Sequence, residues 1–143
     1  MVTYRVLEFQ DMIRPKRLIK TFLELVKIDS ISGKEQEIAK EVAKRLKALG
    51  GKVTIDKVGN VIGKFPGGDE PLMLNAHLDT VEPGRGIKPI IKGDKITSDG
   101  TTILGGDCKA GLAVILEALA SLKEEKTKHL PIEIVFTVQE EIN

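Results

Sequence analysis

Leu72-Met73-Leu74-Asn75-Ala76-His77-Leu78-Asp79-Thr80 is an apolar run that climbs to a histidine and an aspartate two residues apart. Val81-Glu82-Pro83-Gly84 then closes it with a turn signal, so the short run reads as a buried strand. On extended chain, residues i and i+2 share a face. His77 and Asp79 are therefore expected side by side at the strand's C-terminal end, the end where α/β sheets place ligands. A carboxylate beside a metal-binding histidine fixes its tautomer and ring orientation.

Working outward, apolar residues recur at helical spacing in three places. Leu18, Phe22, Leu25 and Val26 follow Arg14-Pro15, where proline suits a first helical turn. Ile38, Val42, Leu46 and Leu49 follow Ser32-Gly33-Lys34-Glu35, which matches a capping box, and Gly50-Gly51 stops that helix. Leu112, Ile115, Leu119 and Leu122 follow Gly105-Gly106-Asp107, and Lys123, Lys126 and Lys128 suit the C-terminal turns. These patterns predict helices over 15–27, 33–49 and 107–126, the first two read as scaffold. Between them lie six or seven strand patterns. Val53 and Ile55 turn through Gly59-Asn60 into Val61-Ile62; Ile87, Ile90 and Ile91 return to extended structure; Ile132, Ile134, Phe136 and Val138 alternate strictly and deliver Gln139-Glu140-Glu141. The expectation is an α/β domain with a central mixed sheet flanked by helices, in which a strand ending at His77 lies beside one ending at Glu140.

Composition narrows the function classes. The 143 residues are 41% hydrophobic and 30% charged, as in an ordinary globular domain with a real core. A net charge of +1, four Phe, one Tyr and no Trp argue against a nucleic-acid partner. No apolar run approaches membrane-spanning length, and the first ten residues lack a signal-peptide core. The single cysteine, Cys108, fits a reducing compartment, and the expected location is the cytoplasm.

Each chemical candidate has a bland alternative. Asp107 at a helix start could be an N-cap, Glu140-Glu141 could be surface charges, and His77 could be a core histidine. Their coincidence at three element junctions favours a metal centre. Histidine plus carboxylates suits Zn²⁺, with Co²⁺ or Mn²⁺ as substitutes.

The strings His77-Leu78-Asp79-Thr80-Val81-Glu82-Pro83-Gly84, Ser98-Asp99-Gly100-Thr101-Thr102-Ile103-Leu104-Gly105, Asp107-Cys108-Lys109-Ala110-Gly111 and Glu140-Glu141 together resemble the M20 metallopeptidases, within them the peptidase T (tripeptide aminopeptidase) group. The resemblance runs from about Arg14 onward. It implies two zinc ions per complete site, with His77 on one, Asp107 bridging both and Glu141 on the other. Asp79 would orient His77, and Glu140 would be the general base. The implied activity is hydrolysis of short peptides at their N-terminus; an amidohydrolase acting on N-acylated amino acids is the alternative within the family. Cys108 stands where many members carry Asp, and Asn143 where they usually carry Gly. A further acidic ligand, a C-terminal histidine and a lid or dimerisation domain are absent, and His129 is poorly placed to substitute. Residues 1–143 therefore read as the N-terminal portion of a catalytic domain, expected to be inactive alone. A third reading is a non-catalytic α/β module that forms homo-oligomers through an uncovered sheet edge.

Overall fold

In the computed structural model, the structure describes residues 12–142; the readings of the first ten residues and of Asn143 lie outside them. Among the described residues, three helices, α1 (Pro15–Val26), α2 (Gln36–Ala48) and α3 (Gly106–Glu124), accompany six strands. The strands are β1 (Lys52–Ile55), β2 (Val61–Phe65), β3 (Leu72–His77), β4 (Ile90–Lys92), β5 (Lys95–Thr97) and β6 (Ile132–Thr137). The central sheet has the order β1-β2-β6-β3, and β4-β5 form a separate hairpin. β1 and β2 are an antiparallel hairpin, β2 and β6 are antiparallel, and β3 and β6 run parallel.

The alternation in β6 decides how this sheet is covered. Ile132, Ile134 and Phe136 are buried, while Glu133, Val135 and Thr137 between them are half-buried. The buried set joins Val61 and Phe65 of β2 in one cluster with Leu25 of α1, Ile38, Val42 and Leu46 of α2, and Leu112, Leu116 and Leu119 of α3. Each large side chain sequestered this way contributes about 1.5–3 kcal/mol relative to exposure.

Parallel pairing is what positions the site. His77 pairs with Thr137, so the C-terminal ends of β3 and β6 emerge on the same side of the sheet. A parallel pair needs a long crossover, here supplied by the hairpin and α3. The first turn of α3 therefore returns to the same end.

The mixed sheet flanked by helices matches the sequence reading; three local expectations do not. The helix expected from residue 33 begins at Gln36, and no side chain caps it. Ser32 is not the partner of a capping box, because its hydroxyl bonds elsewhere. The last strand stops at Thr137, and Glu140–Ile142 form a 3₁₀ turn rather than the strand's tip.

Candidate metal centre

His77 is the last residue of β3 and only 8% exposed. Its Nδ1 lies 3.0 Å from the backbone carbonyl of Asp79, which can only accept, so Nδ1 carries a proton. Nε2 points out of the sheet, 3.0 Å from Asp107 Oδ1 and 4.0 Å from Glu140 Oε2. Burial alone lowers the imidazole pKa, but the Asp107 hydrogen bond and the Asp79 charge and carbonyl outweigh it and hold it above its ordinary value.

Asp79 lies two residues beyond the end of β3, yet its side chain still stands beside His77. Leu78 N–H still donates to Thr137 O (2.8 Å), and Thr80 N–H donates to Ser30 O (3.0 Å), which keeps the chain extended. The Asp79 carboxylate is fully buried and serves more than the ring. The Ser32 hydroxyl donates to Oδ2 at 2.7 Å, and the backbone N–H groups of Glu140 and Glu141 donate to Oδ1 and Oδ2 at 3.0 Å each. Its distance to His77 Nδ1 is 3.4 Å. Burial pushes this carboxyl up, yet the Ser32 hydroxyl and the two amides prevail and hold it below its usual value. One residue thus anchors the histidine through its carbonyl and the diglutamate turn through its carboxylate.

Asp107 stands at the start of α3 without acting as its cap. Gly105 takes the N-cap position with φ 70°, and a Cβ there would press on Ile87 Cδ1 at 3.3 Å and Thr80 Cγ2 at 3.4 Å. The positive φ strains any residue with a side chain there, and the close contacts add crowding. Gly106, by contrast, faces open space, so only one of the paired glycines permits a close approach. Asp107 and Cys108 depart from helical geometry (φ/ψ −89°/113° and −110°/28°), and the regular helix continues beyond them. The Asp107 side chain is 84% exposed and that of Glu140 57%.

Ligand-type atoms fall into two overlapping groups, each within 4.8 Å: His77, Asp107 and Cys108, and His77, Glu140 and Glu141. The three expected ligands, His77, Asp107 and Glu141, and the expected base Glu140 all fall in groups that share His77, with Asp79 behind them, and His129 lies in the loop before β6. Cys108 has both faces of its expected character: it packs against the core as a half-buried side chain, and it falls in the first group. The donor set fits a divalent cation, since it offers carboxylate oxygens and an imidazole whose second nitrogen is fixed by a carbonyl.

Two residues near the site escaped the sequence reading. Ser32 was concealed by a local motif that explained it otherwise. Lys109, two positions after Asp107, is fully buried and donates to Ile28 O at 3.0 Å. Burial lowers its pKa to about 8, against the opposing pull of Asp29. A signal was present, because Lys109 lies at i−3 from Leu112 on the apolar stripe of α3.

Comparison with known proteins identifies the family. The family model for peptidase family M20/M25/M40 matches residues 73–143, the segment that holds every donor named above. An uncharacterised protein, YqjE, of Bacillus subtilis (strain 168) is 41% identical over 140 residues, covering 91% of this chain and 38% of the relative. The crystal structure of the aminopeptidase PepT from Bacillus cereus ATCC 10987 superposes with a TM-score of 0.88 at 44% identity, over 92% of this chain and 38% of that one. A tripeptidase from Staphylococcus aureus Mu50 gives 0.83 at 44% identity, over 91% and 38%. The chain therefore spans somewhat more than a third of the length of these relatives. On the family match and these likenesses, it belongs to peptidase family M20/M25/M40.

Proposed function

We propose that this segment supplies the nucleus of a two-zinc peptidase site that removes residues from the N-terminus of short peptides, tripeptides among them. The observation that carries the reading is the grouping of the Asp107, Glu140 and Glu141 carboxylates around His77, with Asp107 and Glu140 facing Nε2. Among the described residues, no lysine or arginine lies within ion-pair distance of those three carboxylates. Zinc, or cobalt or manganese in its place, supplies Lewis acidity that activates water and polarises a peptide carbonyl.

The chain's own residues divide the remaining work. His77 Nε2 and the carboxylates of Asp107 and Glu141 would hold the cations, with Asp107 between them. Asp79 keeps the His77 ring in the tautomer that leaves Nε2 free to bind. Glu140 accepts a proton from the attacking water and returns it to the leaving amine, a role its exposure suits. Short peptides are the proposed substrates, in a cytoplasmic protein that acts on neither nucleic acid nor membrane and can self-associate. Among the described residues, no helix is long and apolar enough to cross a membrane.

The activity is proposed for a polypeptide of the relatives' length, of which residues 1–143 form the N-terminal part of the catalytic domain. In such a chain, Glu140→Gln should keep its metal and lose turnover, because the amide is nearly isosteric yet cannot shuttle the proton. Equal activity in that variant removes Glu140 from the mechanism. The 143-residue chain alone should bind metal weakly and leave a tripeptide panel uncut. Metal-dependent turnover by it that vanishes in Glu140→Gln would contradict that expectation.

A further inference from the structure

Beyond Thr137 the last strand has ended, and four consecutive backbone N–H groups donate to side-chain oxygens instead of a sheet partner. Val138 donates to Asn60 Oδ1 (3.0 Å), Gln139 to Glu35 Oε1 (3.1 Å), and Glu140 and Glu141 to the two oxygens of Asp79 (3.0 Å each). The acceptors come from three separate places: the β1–β2 turn, the start of α2 and the end of β3. We propose that Glu35, seconded by Asn60, is a positioning residue that fixes the backbone aiming the Glu140 and Glu141 carboxylates at His77. This inference rests on the reading that those carboxylates serve a metal centre.

The conduct of the Glu35 side chain sets it apart from an ordinary helix start. It occupies the N-cap position of α2 and is 3% exposed, yet its carboxylate makes no bond to its own helix. Oε1 instead accepts from Gly33 N–H at 2.8 Å and from Gln139 N–H. Gly33 reaches that geometry at φ +82°, open to glycine at no steric cost. Gln139 is held at φ 59°, a left-handed conformation that a side-chain-bearing residue avoids unless its surroundings impose it. With Gln139 N–H released, the residue is free to return to negative φ, which turns the two glutamates that follow.

Asn60 is itself pre-set for its part. Its Nδ2 donates to Asp56 Oδ2 and its backbone N–H to Asp56 Oδ1, both at 2.9 Å, which leaves Oδ1 facing Val138. Asp56 Oδ1 also accepts from Val58 and Gly59, so the whole turn is tied to one carboxylate.

The test compares a polypeptide of the relatives' length with its Glu35→Ala, Glu35→Gln, Asn60→Ala and Asp107→Ala variants. Zinc affinity is read by chelator competition, exchange of the amides of residues 138–141 by NMR, and stability by urea. Glu35→Ala should weaken zinc about 10–100-fold in the folded protein, the usual cost of losing a group that supports a ligand, and should speed exchange at residues 139–141. Glu35→Gln retains an acceptor oxygen and should stay within about threefold of the parent. Asn60→Ala should speed exchange at Val138 and weaken zinc several-fold, and it decides the matter by the same criteria should Glu35→Ala fail to fold. Parent-like zinc affinity and exchange in a folded Glu35→Ala, or equal damage from Glu35→Gln, overturns the positioning role. Equal zinc binding by the parent and Asp107→Ala overturns the metal reading instead, and the exchange measurement then still decides whether Glu35 orders the turn.

Discussion

Two acids on α3 meet opposite fates. The Glu117 side chain is 2% exposed, and it accepts from Arg17 Nε at 2.6 Å, Arg17 Nη2 at 2.9 Å, Arg14 N–H at 2.8 Å and Ser121 Oγ at 3.2 Å. Arg17 also reaches Glu124. Asp107, in the first turn of the helix, is 84% exposed, bonds His77, and has no lysine or arginine in ion-pair range among the described residues. A carboxylate that four donors satisfy holds α1 against α3. One displayed beside other carboxylates, with a histidine ring nitrogen as its partner and no lysine or arginine, fits a cation that the polypeptide does not supply.

The largest effect lies on the satisfied side. Glu117→Ala strands the partly buried Arg17 guanidinium and should cost about 3 kcal/mol, the low end for breaking a buried pair. Urea unfolding checks this, and a loss under about 1 kcal/mol would mean solvent screens the pair as it does at a surface. Zinc affinity should not change, which is what separates the two acids.

The acid limb of stability sharpens the same contrast. Burial pushes the Glu117 carboxyl up, but the Arg17 hydrogen bond, the Arg14 amide and the Arg17 charge outweigh it and hold the group below its ordinary value. A depressed carboxyl stabilises above its unfolded pKa of about 4.3, and that contribution fades as pH falls through the lower folded value. Glu117→Gln should therefore lower stability at neutral pH and flatten the fall below about pH 4.3. An acid limb as steep as the parent's would assign that fall to other groups.

Ser32 ties the site to the scaffold, and its removal should be milder. Ser32→Ala deletes a hydroxyl that donates to a buried carboxylate and should cost about 1.5–3 kcal/mol at most, since both Asp79 oxygens keep an amide donor. It should also raise the Asp79 pKa toward its ordinary range, measurable by carboxyl NMR; an unchanged titration would make the hydroxyl a bystander.

What was legible in the sequence was whatever local pattern determines. Strict alternation marked β6, the closed apolar run marked β3, and residue type at element ends marked His77, Asp107 and Glu140-Glu141. What escaped depends on partners far away in the chain. Ser32 fits a capping box, yet its hydroxyl finds Asp79 across 47 residues, beside the parallel bridge between Ile31 and Thr80. Glu35 likewise forgoes its own helix for Gln139, 104 residues on. The diglutamate leaves the strand for a 3₁₀ turn because Asp79 captures its amides. Local propensity favours one use of such groups, and the tertiary structure offers a charge-assisted alternative of about twice the strength.

The smallest effect on stability should accompany the largest loss of binding, and it offers the most direct test. Asp107→Ala removes an exposed side chain, so urea unfolding should shift by no more than about 0.5 kcal/mol. Zinc binding by the same folded chain, measured by chelator competition, should weaken by about 100-fold or more, beyond what loss of a merely supporting group costs. Parent-like zinc affinity in a stably folded Asp107→Ala would contradict the claim that this carboxylate is held open for a metal ion.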